Sequence, residues 1–213
     1  AGRTEHEIPH LRQAVDVMCN FMKALLFTIG LFFYSLYDIH AQDGNFQFNE
    51  IGWTISIPKN FKIQDSLRAV KEMRKGVRSI EKLMDTTDKD TETRMLFSAN
   101  IGKFGMVSST IKLHGDYVDS TNSLQILKNI LFVTTTKLIS KAIFDSISSS
   151  MIIDDVTFDK FEVNTVRKGK VVFSEVLLYT MYKGYDLCIS YTYTDDKMKQ
   201  EIETVLTNSH FIK

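Results

Sequence analysis

The sequence predicts an α+β fold in which a largely antiparallel sheet carries helices on both faces. Two observations carry that expectation. Apolar residues recur at period two in runs separated by short polar turns, so neighbouring strands join as hairpins. Stretches with a period near 3.6 fall between groups of strands rather than after each one, which argues against a parallel βαβ sheet. The runs at 171–182 and 185–193 are apolar at successive positions. That is the pattern of strands covered on both sides.

The elements follow in order. Phe46 and Phe48 alternate with polar neighbours, and Trp53, Ile55 and Ile57 do the same until Pro58 ends the run. A helix is expected over Ser66–Met84, with Leu67, Val70, Met73, Val77, Ile80 and Met84 as its buried stripe and Asp65 or Ser66 as cap. Met95, Phe97 and Ala99 mark a strand, joined through Gly102–Gly105 to a second at Met106–Leu113. Asn122–Ile147 is strongly apolar at helical spacing, and the β-branched Thr134, Thr135 and Thr136 are where the helix could be interrupted. Three long strands follow at Val156–Val166, Val171–Tyr182 and Tyr185–Tyr193. Their turns, Arg167-Lys168-Gly169-Lys170 and Lys183-Gly184, supply glycine for a left-handed position. A last helix over Asp196–Thr207, capped by Thr194 or Asp195, buries Met198, Ile202, Val205 and Leu206, and Phe211 begins a short terminal segment.

The front of the chain reads as a targeting segment. Met22-Lys23 precedes Ala24–Tyr37, a stretch without charge, and Ala41 stands at the expected cleavage point before Gln42. A positive start, an apolar run of roughly 7–15 residues and a small residue at the cut describe a secretory signal peptide. Spanning a bilayer takes about 20 apolar residues, so a transmembrane anchor is the poorer reading. The expected organisation is an overlong start at 1–21, a signal peptide at 22–41 and one domain at 42–213. Export to the periplasm or beyond follows.

Composition excludes several functions. Lysine plus arginine equals aspartate plus glutamate at 26 each, so no net charge points to nucleic acid. Two cysteines, with only Cys188 beyond the targeting segment, exclude a disulfide scaffold and a multi-cysteine metal site. His6-Glu7-Ile8-Pro9-His10 formally matches H-E-x-x-H, but Pro9 breaks the helix that would align both histidines. Asp85, Asp88, Asp90 and Glu92 lack the glycine of a calcium loop and read as a solvated acidic stretch. His114 and Asp116 form the best candidate for a base with its orienting carboxylate. His210 and Cys188 read as ordinary surface and packing residues. Arg68, Lys71, Lys75, Arg78 and Lys82 recur at three- and four-residue spacing, a basic ridge able to meet anionic lipid or an acidic partner. No metal or cofactor is implied.

The opening Gly52-Trp53-Thr54-Ile55-Ser56-Ile57-Pro58 and the closing Ile189-Ser190-Tyr191-Thr192-Tyr193-Thr194, followed by a helix and Ser209-His210-Phe211, resemble the first and last units of the PsbP-like superfamily. That superfamily groups the photosystem II extrinsic protein P, a Ran-binding nucleotide-release factor and many exported bacterial proteins. The resemblance implies a PsbP-like sandwich and carries no catalytic motif. The expected function is that of an exported, non-catalytic binding or accessory protein. A hydrolase using His114 and Asp116 and a membrane-tethered structural protein are the alternatives. The expected partner is a protein or an anionic surface, with membrane contact transient or through an uncleaved signal, and the expected state is a monomer.

Overall fold

The computed structural model describes residues 44–65, 67–71, 74–75, 93–114, 120–138 and 142–212. The elements are β1 (Asn45–Phe48), β2 (Trp53–Ser56), β3 (Phe61–Ile63), β4 (Arg94–Ile101), β5 (Gly105–Leu113), α1 (Ser120–Leu138), β6 (Ile143–Ile153), β7 (Val156–Arg167), β8 (Lys170–Tyr182), β9 (Tyr185–Tyr193), α2 (Asp196–Thr207) and β10 (His210–Phe211). Residues 67–71 and 74–75 are also helical. A seven-stranded sheet runs β3-β4-β5-β9-β8-β7-β6, and a three-stranded sheet runs β1-β2-β10. Every described strand pairing is antiparallel.

Short turns explain the long ladders. The pairs Asp154-Asp155, Lys168-Gly169 and Lys183-Gly184 all have positive φ (46° and 65°, 51° and 73°, 50° and 78°). Two left-handed residues in succession match the right-handed twist of the strands they join. Both glycine-containing turns are those expected from the sequence.

Side chains alternate between two faces of the large sheet. The front face presents Val107, Tyr191, Val176 and Glu162 in one register row, and the back face presents Ser108, Ser190, Leu177 and Phe161 in the next. On the front lie the small sheet and α2, sharing a core with Trp53, Phe97, Phe158, Leu178, Ile189, Ile202, Leu206 and Phe211. The Trp53 and Phe211 rings stack with centroids 5.5 Å apart, and the buried Trp53 indole N–H donates to Ser209 Oγ at 2.9 Å. On the back, α1 packs with Ile130 and Leu131 buried, and Thr135 Oγ1 donates to Glu175 Oε2 on β8 at 3.0 Å. Ala69 packs with Met95 and Met106 on the same side. Helices therefore cover both faces, as expected.

Three expectations change. Asn122–Ile147 is not one helical stretch: α1 ends at Leu138 and Ile143 opens β6, an eleven-residue strand paired to β7. Ile143 and Ile147 are four apart, a spacing that serves a helical stripe and one face of a strand equally. The serines at 146, 148, 149 and 150 form helix poorly, so the long-range ladder decides. Second, Leu67 does not enter the core. It is 81% exposed, while Ala69, two residues on, is buried. The Asp65 side chain fixes that register by accepting from the Arg68 backbone N–H at 3.0 Å, so the cap is Asp65. Third, β3 and β10 are strands beyond those expected, each held by its neighbour in a sheet. At the last helix, Asp195 is the cap, accepting from Met198 N–H at 2.9 Å, and Ile202, Val205 and Leu206 are buried while Met198 is half-buried.

Candidate functional site

The densest polar chemistry among the described residues lies on the front face beneath α2. Lys160 and Glu162 are two apart on β7, Tyr191 and Tyr193 two apart on β9, so each pair points the same way. Lys199 and Glu203 are four apart on α2 and project down together. Glu203 Oε1 accepts from Lys160 Nζ at 2.8 Å and from the Tyr191 hydroxyl at 2.6 Å. Glu162 accepts from the Tyr193 hydroxyl at 2.7 Å and from Lys199 Nζ at 3.4 Å, with Lys160 Nζ 3.7 Å away. Lys199 also sits over the Tyr193 ring, 5.1 Å from its centroid.

Electrostatics locks this network. Burial alone would raise the Glu203 carboxyl, but hydrogen bonds from Lys160 and Tyr191 and the charges of Lys160 and Lys199 hold it below the ordinary range. Desolvation would lower Lys199, yet Tyr193 and the Glu162 charge raise it. Burial first, then the carboxylates they donate to, push the Tyr191 and Tyr193 phenols up, so both stay protonated as donors. Two carboxylates and two ammonium groups thus neutralise one another. The arrangement clamps α2 onto β7 and β9.

The sheet continues past this clamp. Ile143, Val166 and Val171 fall in one register row across β6, β7 and β8, with Ile147 further along the same face. Ile143 is 72%, Ile147 49% and Val171 53% exposed. Between that row and the clamp, Ser174 Oγ donates to Asn164 Oδ1 at 2.6 Å. Asp145, exposed, stands between Ile143 and Ile147 on this face, so the surface pairs apolar side chains with one carboxylate, a composition that suits a binding surface.

The expected site residues fare as follows. His114 follows the last residue of β5, and its Nδ1 lies 2.8 Å from Asp186 Oδ1 on β9, the same oxygen that accepts from the Tyr179 hydroxyl at 2.7 Å. Its carboxylate partner here is therefore Asp186, 72 residues away in the chain; Asp116 lies outside the described residues. Of the basic ridge, Lys71 and Lys75 are exposed and Arg68 half-buried, and Arg78 and Lys82 lie outside the described residues. So do Ala41 and Gln42, the signal segment, the H-E-x-x-H match and the acidic stretch at 85–92. Cys188 is a buried free thiol, pushed up by burial and then by the Asp186 charge. Among the described residues no three histidine, cysteine, aspartate or glutamate side chains group as metal ligands. Nor is any helix there long and apolar enough to cross a membrane.

Sequence reasoning missed the clamp. The signal it leaves in the sequence is a same-face Lys160 and Glu162 between the aromatic and aliphatic Phe158, Phe161 and Val163, with a tyrosine pair at the same spacing on β9.

No family profile and no curated protein matches the chain by sequence. Solved structures do match in shape. Cyanobacterial PsbP (CyanoP) from Synechocystis aligns over 84% of this chain and 100% of its own, at a TM-score of 0.50 and 10% identity. A Bacteroides thetaiotaomicron protein aligns over 81% of this chain and 50% of its own, at 0.41 and 11%. LpqN, involved in cell envelope biogenesis of Mycobacterium tuberculosis, aligns over 83% and 94%, at 0.37 and 10%. The likeness to CyanoP shows a PsbP-like fold, as the terminal units of the sequence imply.

Proposed function

We propose that the chain is an exported, non-catalytic binding or accessory module that holds a protein partner on the open front face of β6, β7 and β8. The carrying observation is the apolar row of Ile143, Val166 and Val171, with Ile147 beside it, standing beyond the α2 clamp, where the β6–β7 ladder is continuous and the β7–β8 ladder shifts register between Thr165 and Val166. The ionic groups next to it serve one another, which supports a scaffold role for them rather than a reacting one. Two tests apply. The full chain, immobilised, retains a discrete partner from envelope extract, and Ile147→Lys with Val171→Lys loses it; equal retention by both sinks the reading. Export is tested by the mature N-terminus, expected at Gln42.

The basic ridge supports an anionic surface as a second partner. Counting about 100° per residue from buried Ala69 puts Lys71 about 160° round the helix and Arg68 on its flank at about 100°, and Lys71 and Lys75 are exposed. Replacing Lys71, Lys75 and Arg78 by glutamine should release the chain from acidic vesicles, and wild-type binding should fall as salt shortens the screening length to about 8–10 Å. Absence of vesicle binding at low salt removes this reading.

A further inference from the structure

Among the described residues, one edge of the large sheet is blunted and the other, along 143–150, is exposed. β3 is three residues long and follows Pro58 and Lys59. β6, at the opposite edge, runs eleven residues in unbroken register with β7 and carries neither proline, lysine nor arginine, and a single charge, Asp145. Native edges are ordinarily blunted by shortness, lysine, proline or a bulge, because their outer N–H and C=O groups template pairing with another strand. Ser146, Ser148, Ser149 and Ser150 are exposed along β6, and Ile152 is 63% exposed on its back face.

We propose that a second copy of this chain pairs with β6, antiparallel, about a two-fold axis through Ser148, joining the two large sheets. The strand is complementary to itself in that register. Phe144 meets the partner's Ile152, an aromatic against a β-branched side chain, while Ile153 stays buried in its own core, so the contact surface is the stretch up to Ile152. Ser146 meets the partner's Ser150, and Ser148 meets its own counterpart. Asp145 faces the partner's Met151, so the two carboxylates stand six residues, about 20 Å, apart.

Charge selects the same arrangement. Ile143 pairs with Val166, so Arg167, Lys168 and Lys170 lie at the start of β6, whereas Asp154 and Asp155 form the turn at its end. Antiparallel pairing sets each basic end beside the partner's acidic end. The separation from β7 to the partner's β6 is two strand spacings, about 10 Å, near the screening length at physiological salt. A parallel pairing would put like charges together. The dimer departs from the monomer expected from the sequence, where residues 143–147 read as helix, and it goes beyond the binding-module reading without depending on it.

Sedimentation of the full chain over a concentration series tests this. Wild type should show a concentration-dependent dimer. Ser148→Lys places two ammonium groups across the axis and should weaken the dimer about tenfold or more, with unchanged circular dichroism. Mixing Ser148→Lys with Ser148→Glu should restore association. In a Cys19→Ser background, Ser148→Cys should cross-link on oxidation, because facing Cβ atoms sit about 4.5–5.5 Å apart, and Lys59→Cys on the other edge should not. A chain that stays monomeric throughout, a dimer undiminished by Ser148→Lys, or equal cross-linking at residue 59 overturns the proposal.

Discussion

Removing the Glu203 carboxylate should cost the fold far more than its place on an α2 surface turn suggests. In Glu203→Ala, the Lys160 ammonium, whose side chain is only 12% exposed, loses its 2.8 Å acceptor and keeps Glu162 at 3.7 Å. The Tyr191 hydroxyl loses its acceptor at the same time. A hydrogen bond to a charged group contributes about 1.5–3 kcal/mol, and an orphaned buried donor costs about 1–3 kcal/mol. Glu203 is itself partly open, so water entering the vacated space recovers some of this. The expected loss is about 2–4 kcal/mol, read as a lower urea midpoint at unchanged slope. Glu203→Gln, which keeps an acceptor but no charge, should lie between. A cycle with Lys160→Met should give a coupling of about 1 kcal/mol or more, since each single variant strands the other's partner. If Glu203→Ala lies within about 0.5 kcal/mol of wild type, or the two changes add, the clamp is not a clamp.

The clamp also sets a pH window. Glu203 is depressed, so its contribution is present above the ordinary carboxylate range near about 4.3 and is lost as pH falls through its lower folded value. Lys199 is raised, so its contribution is present below about 10.4 and is lost as pH rises through its higher folded value. Urea midpoints should therefore drop at both extremes, and Glu203→Ala should flatten the acid limb. Separately, Ser209→Ala orphans the buried Trp53 indole N–H and should destabilise by about 1–3 kcal/mol. The one tryptophan makes its own fluorescence the readout.

What the sequence disclosed, and what it hid, divides along local and non-local physics. The Lys-Gly turns and the alternation of Trp53, Ile55 and Ile57 are local signals, and each appears where expected. The Asp195 cap needs only a neighbouring backbone donor, three residues away. By contrast, Ile143–Ile153 becomes a strand because β7 is there to pair with it, and no spacing within the segment distinguishes that outcome. His114 shows the same limit. Asp116, two residues on, is the partner local sequence offers, while Asp186 reaches the imidazole only because β5 and β9 are neighbours. The clamp joins β7, β9 and α2, three elements whose contact depends on topology. Leu67 shows that a stripe is fixed by its cap: rotating the helix start buries the small Ala69 against Met95 and Met106 instead.

Strand length gives the last argument. β8 has 13 residues, which at about 3.3 Å each span roughly 43 Å. α2 has 12, which at about 1.5 Å each span roughly 18 Å. A helix of that length leaves much of the front face uncovered, and the overhang includes the row of Ile143, Val166 and Val171. On the back face α1 still covers β7 and β8, where Phe161, Val163 and Phe173 are buried. Among the described residues, the first part of β6 has neither cover: Asp145 to Ser150 are exposed on both faces, whereas Ile153 at its end is buried in the core. Local opening draws on segments with few buried contacts, so hydrogen exchange should rank the strands. At dilution, amides of 143–150 should exchange well before those of 158–164 and 174–180. Equal protection of all three segments in dilute solution would mean that β6 is held as firmly as the core strands, and that its exposed length is part of the folding unit rather than a surface kept for contact.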